Sequence, residues 1–196
     1  MHKLQFVFVL LAALLLAACG GPHQFSGTAI DPPKPLTDFT LPDQNGQRFQ
    51  LSAQQPNLVL LYFGYTNCPD FCPSTMGDWK QIRQELGADA ERVRFVLVSV
   101  DPERDTPEAL KAYVERFDPA FVGLRPTLEQ VSAFGREYGF PVEIVQDAAG
   151  GHQHDPTRHG TYSYLVDQRG QLRVLFRYDI DPRAVASDIK AVLAER

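Results

Sequence analysis

The sequence contains little cysteine, methionine or tryptophan, and its basic residues are scattered. Three of the 196 residues are cysteine, two are methionine and one is tryptophan. Lysine and arginine number 19 against 24 acidic residues, which gives a formal net charge of −5 at pH 7. Because no basic cluster is present, the composition argues against binding to nucleic acid. The chain also lacks internal repeats and low-complexity tracts.

No apolar run is long enough to cross a bilayer comfortably. The longest extends from Leu4 to Ala18, whereas a spanning helix needs about 20 residues. Lys3 precedes this run, and small residues lead from it to Cys19. This arrangement is typical of a bacterial lipoprotein signal peptide over residues 1–19, in which Cys19 becomes the lipidated N-terminus. An uncleaved anchor is the alternative, and both place the folded part outside the cytoplasm, on the periplasmic side, attached to a membrane.

The remaining chain is expected to contain a linker and one domain. Residues 20–35 are rich in glycine, proline, serine and threonine without periodicity, which predicts a flexible linker. Residues 36–196 are sufficient for a single domain with its own hydrophobic core.

The most informative segment extends from Leu58 to Pro73. Leu58–Phe63 is a continuous apolar run, which suits a strand buried on both faces of a mostly parallel sheet. Cys68 and Cys72 follow, each directly before a proline, and apolar residues recur at helical spacing after Pro73. Two thiols are therefore expected between the end of a buried strand and the start of a helix, where the helix amides favour thiolates.

The spacing of these two cysteines favours a metal site without excluding a disulfide. On a regular helix, Cβ atoms four residues apart are separated by about 5–6 Å, whereas a relaxed disulfide places them about 3.8 Å apart. A metal ion about 2.3 Å from each sulfur tolerates the wider separation. Because Cys19 is assigned to the anchor, Cys68 and Cys72 are the cysteines left for the domain, and outside the cytoplasm they could form one disulfide.

Strand and helix signals alternate along the domain. The predicted elements are, in order, a hairpin around Asp43–Gly46, the strand Leu58–Phe63 with its helix, the strand Val93–Val100, helices capped by Thr106 and Thr127, a hairpin from Thr161 to Phe176, and a helix from Pro182. This order predicts a parallel central pair of strands extended by antiparallel strands. The expected fold is α/β, a thioredoxin-like sandwich with an N-terminal β-hairpin and a central mixed sheet flanked by helices.

Three motifs resemble a narrower group of proteins. Tyr62–Pro73 has the sequence YFGYTNCPDFCP, Val98–Pro107 has the sequence VSVDPERDTP, and His159 precedes a strand that contains Tyr-Leu-Val-Asp. Together these motifs resemble the Sco/SenC family, and the similarity covers the domain from about Leu36. Members of that family are membrane-tethered, thioredoxin-like copper proteins that assist the assembly of cytochrome c oxidase.

The resemblance implies a copper site and two alternative functions. Cys68 and Cys72 match the thiolate ligands of the family and His159 matches its histidine ligand, a donor set suited to both Cu(I) and Cu(II). The first implied function is a metallochaperone that delivers copper to the CuA site of cytochrome c oxidase subunit II. The second is a thiol–disulfide oxidoreductase that reduces the cysteines of that site or of another extracytoplasmic protein. Other periplasmic copper carriers or thiol reductases are further expected partners.

The sequence departs from the family pattern beside the histidine. Arg158 and Gly160 flank His159, where the family usually has an aspartate or another small residue before the histidine and a serine or threonine after it. Gly160 is therefore expected to loosen the loop.

Two other features accompany the predicted site. Asp101 matches the family's Asp-Pro motif and is expected either to tune the metal from beyond its ligands or only to order the turn before Thr106. His152 and His154 are expected on a flexible loop, either as transient copper ligands or as ordinary surface residues.

Overall fold

Strands and helices alternate along most of the chain. The structure, a computed structural model, describes residues 23–141, 144–146, 152–154 and 160–195, with the backbone alone for the two three-residue pieces. The strands in these ranges are β1 (Thr28–Pro35), β2 (Thr40–Pro42), β3 (Arg48–Gln50), β4 (Leu58–Gly64), β5 (Val93–Ser99), β6 (Val122–Leu124), β7 (Ile144–Gln146), β8 (His152–His154), β9 (Tyr162–Val166) and β10 (Gln171–Arg177). The α-helices are α1 (Phe71–Leu86), α2 (Pro107–Glu115), α3 (Leu128–Tyr138) and α4 (Pro182–Ala194), and 3-10 helices cover Ser52–Gln54 and Gly87–Arg92. Within the described ranges, no helix combines the length and the apolar character that a bilayer crossing needs.

A central mixed sheet has the strand order β1-β10-β9-β4-β5-β6. β4, β5 and β6 are parallel, whereas β9 pairs antiparallel with β4, β10 with β9, and β1 with β10. β4 lies between β5 and β9 and is buried along its whole length, as its continuous apolar sequence predicts. The predicted α/β sandwich, with an N-terminal hairpin and a central mixed sheet flanked by helices, is confirmed.

Helices cover both faces of this sheet. In β4, the Tyr62 ring contacts Trp79 of α1, and the next residue, Phe63, contacts Phe134 and Tyr138 of α3. Because successive side chains of a strand point to opposite faces, α1 and α3 lie on opposite sides of the sheet. α4 packs against α1. The hydrophobic core therefore consists of two apolar layers that meet at β4.

The helix ends follow the predicted capping signals. The Thr106 hydroxyl accepts a hydrogen bond from an amide in the first turn of α2. Thr127 and Gln130 form the predicted capping box at the start of α3. Asp181 caps α4 in the same way. Each cap satisfies an amide that the helix itself leaves unpaired.

The prediction of a flexible linker over residues 20–35 is wrong for its second half. Thr28–Pro35 forms the edge strand β1, which pairs with β10. The register shifts between Ala29 and Lys34, where two consecutive prolines lie. Proline has no amide for a strand ladder but is tolerated on edge strands and at bulges. The proline-rich composition therefore indicated a linker although the segment forms an edge strand. The folded part begins before Leu36.

Two further strand pairings were not predicted. The short strand β6 lies parallel to β5 at the edge of the sheet. β7 and β8 pair antiparallel, with Ile144 opposite His154 and Gln146 opposite His152. The expectation of a flexible loop around His152 and His154 is therefore wrong for the backbone, because these residues belong to a paired strand.

Candidate functional site

The two predicted thiols lie at the carboxyl end of β4, where the chain turns into α1. β4 ends at Gly64, Cys68 lies in the connecting loop, and Cys72 lies in the first turn of α1. Both cysteines are free thiols. Cys68 has 6% of its surface exposed and Cys72 has 0%. Both cysteines are therefore buried, and of the two only Cys68 retains any exposed surface.

The geometry of the pair differs from that of two residues on one helix. α1 begins at Phe71, ahead of the predicted start after Pro73, so Cys72 is helical and Cys68 is not. The Cys72 amide donates a hydrogen bond to the Cys68 sulfur over 3.4 Å. The helical Cβ separation that favoured a metal over a disulfide therefore does not apply. Spacing alone does not separate the two chemistries.

The two thiols differ in their surroundings. The helix amide that points at the Cys68 sulfur stabilises a thiolate there. The pKa of the Cys72 thiol is raised above its ordinary value, first by its hydrogen bond to Cys68 and then by burial. The Cys72 thiol therefore keeps its proton, and a soft cation that binds both sulfurs must displace it.

Gly64 leaves the space that the Cys72 sulfur occupies. A Cβ at position 64 would lie 2.7 Å from Cys72 Sγ and 2.6 Å from the Tyr62 ring. The Tyr62 hydroxyl lies 3.8 Å from the same sulfur. Since a larger side chain would collide with both neighbours, the end of β4 requires glycine for a steric reason.

Three tyrosines surround the thiols, and sequence reasoning did not identify them. Burial raises the pKa of Tyr62, Tyr65 and Tyr113, and the neighbouring Cys68 and Cys72 raise it further. All three hydroxyls therefore stay protonated and neutral. The Tyr113 hydroxyl, on α2, is buried without a hydrogen-bond partner among the described residues. Tyr62 and Tyr65 lie in the cysteine motif and were detectable, whereas Tyr113 is distant in sequence and gave no signal.

A buried carboxylate fixes the loop that carries Cys68. Asp105 accepts hydrogen bonds from the Thr66 hydroxyl at 2.6 Å, the Thr66 amide at 3.2 Å and the Ser99 hydroxyl at 2.6 Å. Ser99 is the last residue of β5, so Asp105 ties together the ends of two neighbouring strands. Burial raises the pKa of Asp105 above its ordinary value. Sequence reasoning overlooked this residue, although it belongs to the VSVDPERDTP motif.

Asp101 lies at the same end of the sheet. Its buried carboxylate forms an ion pair with Arg104, and its carbonyl accepts hydrogen bonds from the amides of Arg104 and Asp105. The positive charge of Arg104 in turn partly offsets the rise in the pKa of Tyr65, a residue that adjoins the cysteine loop. These contacts fit the expectation that Asp101 orders the turn after β5. Tuning of a bound metal by Asp101 stays a prediction.

Two predicted site residues, Cys19 and His159, lie outside the described residues. Gly160, which follows His159, is buried, and a Cβ there would lie 3.1 Å from Phe140 Cβ. This close packing replaces the expected looseness at Gly160. Because β9 runs antiparallel to β4, Gly160 and Thr161, which directly precede β9, lie beside the strand end that leads to the cysteines. In the part of the chain that the structure describes, no three histidine, cysteine or acidic side chains form a group that could hold a metal.

The fold and the thiol pair together define a class of protein. A buried pair of thiols at the start of the helix that follows the central strand of a mixed sheet is a thioredoxin-like arrangement. Such a pair can bind a soft metal ion through both sulfurs, or it can exchange with a disulfide.

Within this class, the chain belongs to the SCO1/SenC family, whose sequence model matches residues 28–194. The match begins at β1 and ends in α4, so it covers the entire sheet. The family resemblance drawn from the cysteine and Asp-Pro motifs is confirmed.

Individual family members show how much of the chain is shared. A SCO2-like protein of Rickettsia felis is 32% identical over 156 residues, which are 78% of this chain and 74% of that protein. The structure of Bradyrhizobium japonicum ScoI with copper bound matches with a TM-score of 0.70 at 32% identity, over 80% of this chain and 98% of the other. BsSco, a member of the Sco family of cytochrome c oxidase assembly proteins with a disulfide switch, matches with a TM-score of 0.66 at 25% identity, over 86% and 99%.

Proposed function

We propose that this protein is a copper-binding metallochaperone that delivers copper to the CuA site of cytochrome c oxidase subunit II during assembly. The observation that carries the proposal is the buried pair of thiols, Cys68 and Cys72, at the start of α1. Copper(I) is a soft cation that prefers thiolates. Related ScoI binds copper, and BsSco belongs to a family of oxidase assembly proteins, which supports the same cargo and partner here.

The proposed copper ligands are Cys68, Cys72 and His159. Two thiolates suit Cu(I), and an imidazole suits both Cu(I) and Cu(II). The chain position after His159 is packed beside the end of β4, which supports a third ligand from this part of the chain. Because a proton must leave Cys72 when both sulfurs bind the ion, copper binding should tighten as the pH rises.

The proposed location is the periplasmic side of a membrane. A lipid on Cys19 would hold the domain at the surface where the oxidase is assembled. Periplasmic copper carriers or thiol reductases are proposed as the partners that load or reduce the thiol pair.

A second candidate function is reduction of the cysteines of the acceptor copper site. The observation that favours it is the thiolate-stabilising amide at Cys68 beside a protonated Cys72. The Cys68 thiolate would attack a partner disulfide, and the Cys72 sulfur would then attack the mixed disulfide. The partner would leave as a dithiol, and the two electrons would come from the Cys68–Cys72 pair, which becomes a disulfide.

The His159→Ala variant separates these two functions. Thiol exchange needs both sulfurs but no imidazole, so we expect the variant to keep its rate of disulfide reduction. We expect its affinity for Cu(II) to fall by more than about tenfold, with a smaller loss for Cu(I), because Cu(II) depends more on the imidazole. The measurements are anaerobic copper titrations, a disulfide-reduction assay, and the amount of assembled oxidase in cells at low copper.

Two control variants complete this test. Cys68→Ser should lose both copper binding and disulfide reduction, and His154→Ala should retain both. If His159→Ala binds Cu(II) normally and supports oxidase assembly at low copper while Cys68→Ser does not, the reductase function replaces the chaperone function.

A further inference from the structure

The segment His23–Gly27, termed here the latch, is fastened to α4 by one buried side chain. Asp188 Oδ1 lies 2.8 Å from His23 Nε2, which donates to it. Asp188 Oδ2 accepts the backbone amides of Ser26 at 2.8 Å and Gly27 at 3.1 Å. One carboxylate thus receives three hydrogen bonds from residues that directly precede β1.

Asp188 is an unusual residue for its position. It lies in the middle of α4 and is 0% exposed. Aspartate is a poor helix former, and a buried carboxylate is costly unless it is paired and hydrogen-bonded. The helix itself therefore gives no reason for aspartate at position 188, whereas the latch supplies the partners that a buried carboxylate needs.

The packing of the latch is an independent sign that it is built to dock. A Cβ on Gly27 would lie 2.6 Å from side-chain atoms of both Phe176 and Val174 of β10. Glycine is therefore required for the backbone to approach this closely. Phe25 packs against the hydrophobic core, and its ring meets the His23 ring edge to face at 4.9 Å. The latch is a fitted part of the domain.

The latch places the start of the folded chain at one edge of the central sheet. It leads into the edge strand β1, which is separated from β4 by β10 and β9. Adjacent strands lie about 4.8 Å apart, so the strand that leads to the cysteines is about 15 Å from this edge. The pairs Thr28–Leu175, Leu175–Tyr164 and Tyr164–Leu61 show that β1 starts level with the middle of β4.

We propose that the latch holds the β1 and α4 flank of the domain towards the membrane, so that the cysteine pair stays at a short and limited height above the lipid surface. The proposal rests on the proposed lipid anchor at Cys19. Four residue steps separate Cys19 from His23, which allows at most about 14 Å of chain. The sixteen residues of the expected flexible linker would reach about 55 Å when extended. The latch therefore shortens the free tether before the fitted part of the domain by about 40 Å of extended chain.

The experiment opens the latch and measures both its backbone and the height of the domain. Asp188→Asn removes the charge and one acceptor oxygen, and His23→Phe removes one donor from a partly exposed position while keeping a ring beside Phe25. Asp179→Asn, which alters an exposed aspartate paired with Arg177, is the matched control. Lipidated protein is reconstituted in phosphatidylcholine and phosphatidylglycerol vesicles that carry a dansyl headgroup, and Trp79, the single tryptophan of the chain, is the energy-transfer donor.

We expect the Ser26 and Gly27 amides to exchange with deuterium at least about tenfold faster in Asp188→Asn, since hydrogen bonds to a charged group are lost. A smaller increase is expected in His23→Phe. Energy transfer from Trp79 to the dansyl lipid should fall to less than half in Asp188→Asn, because it decreases with the sixth power of distance. Asp179→Asn should match the wild type in both measurements.

Each contrary result overturns a different part of the proposal. Unchanged exchange at Ser26 and Gly27 in both latch variants would show that Asp188 does not fasten the segment. Faster exchange with unchanged energy transfer would show that the latch does not set the height. A mature chain without acyl groups on Cys19, as shown by mass spectrometry, would remove the anchor and with it the membrane arrangement, while the exchange result would still judge the latch.

Discussion

Individual side chains determine what the thiol pair can do. The Cys72 amide donates a hydrogen bond to the Cys68 sulfur, and the pKa of the Cys72 thiol is raised above its ordinary value. A hydrogen-bonded sulfur beside a protonated thiol is an arrangement that suits metal binding and thiol exchange equally well. Gly64 contributes only by leaving room for the Cys72 sulfur. The position of the Cys72 sulfur thus depends on the lack of a Cβ at position 64.

Gly64→Ala should displace the Cys72 sulfur, because the added Cβ would lie 2.7 Å from it. We expect the free energy of unfolding to fall by about 1–3 kcal/mol and the affinity for Cu(I) to weaken. Urea unfolding followed by Trp79 fluorescence and a competitive Cu(I) titration measure the two effects.

Gly77→Ala is the matched control for this prediction. Gly77 lies inside α1, and a Cβ there would meet nothing within 4 Å. The substitution should raise the free energy of unfolding by up to about 1 kcal/mol, because alanine is a better helix former, with copper affinity unchanged. Wild-type stability and copper affinity in Gly64→Ala would show that Cys72 is not confined as described.

At the level of strands and loops, the site exists because two parallel strands end side by side. β4 leads to the cysteine loop and β5 leads to the loop that contains Asp101 and Asp105. Asp105 joins the two through Thr66 and Ser99. The Asp-Pro motif and the cysteine motif, separate in sequence, are therefore parts of one structure. Asp105 holds the backbone that positions Cys68 without contacting either sulfur in the hydrogen bonds described.

Asp105→Asn should change how stability depends on pH. Burial raises the folded-state pKa of Asp105 above its ordinary value of 3.8, so the folded protein holds this proton more tightly than the unfolded chain. The resulting stability is fully present below pH 3.8 and is lost as the pH rises through the folded-state pKa. Relative to the variant, wild-type stability should fall across this window by about 1.4 kcal/mol for each unit by which the pKa is raised.

Urea unfolding at closely spaced pH values from 3 upwards, on the order of half a unit apart, measures this dependence. Asp179→Asn, which makes the same charge change on the surface, is the control and should follow the wild-type curve. Parallel curves for the wild type and Asp105→Asn over the whole range would mean that the carboxyl group titrates in the folded protein as it does in the unfolded chain.

For the protein as a unit, the boundary of the folded part matters for both stability and position at the membrane. β1 covers the edge of β10, and the latch supplies hydrogen-bond donors to Asp188. Lys34 and Thr37 add hydrogen bonds to Glu137 at the end of α3. The segment that was expected to be a flexible linker therefore forms the edge of the sheet and connects it to α3 and α4.

A chain that begins at Leu36 should be less stable than one that begins at His23. It would lose the four β1 pairs with β10 and leave Asp188 without its latch partners, which should lower the free energy of unfolding by at least about 2 kcal/mol. The uncovered edge of β10 should also promote self-association. Urea unfolding and light scattering compare the two chains. Equal stability and equal mass in solution would restore Leu36 as the start of the domain.

The sequence by itself determined the fold class, the order of most elements and the two thiols. Local signals were sufficient where the residues concerned are neighbours: the buried run Leu58–Phe63, the Thr127 capping box and the cysteines between a strand and a helix. These features arise from short-range periodicity and from hydrogen bonds within one helical turn. The motifs around Cys68 and Asp101 also carried the family resemblance, which the family match confirmed.

Tertiary structure decided everything that depends on partners distant along the chain. β1 is a strand because it pairs with β10, and its prolines prevented its prediction from local sequence. Asp105, Tyr113 and Asp188 acquire their importance from contacts with residues that are between 39 and 165 positions away in the sequence, and such contacts leave no periodic signal. The start of α1 before Cys72, rather than after it, also depends on how the loop packs. Local sequence specifies which backbone conformations have low free energy, whereas burial and long-range hydrogen bonds select among those conformations.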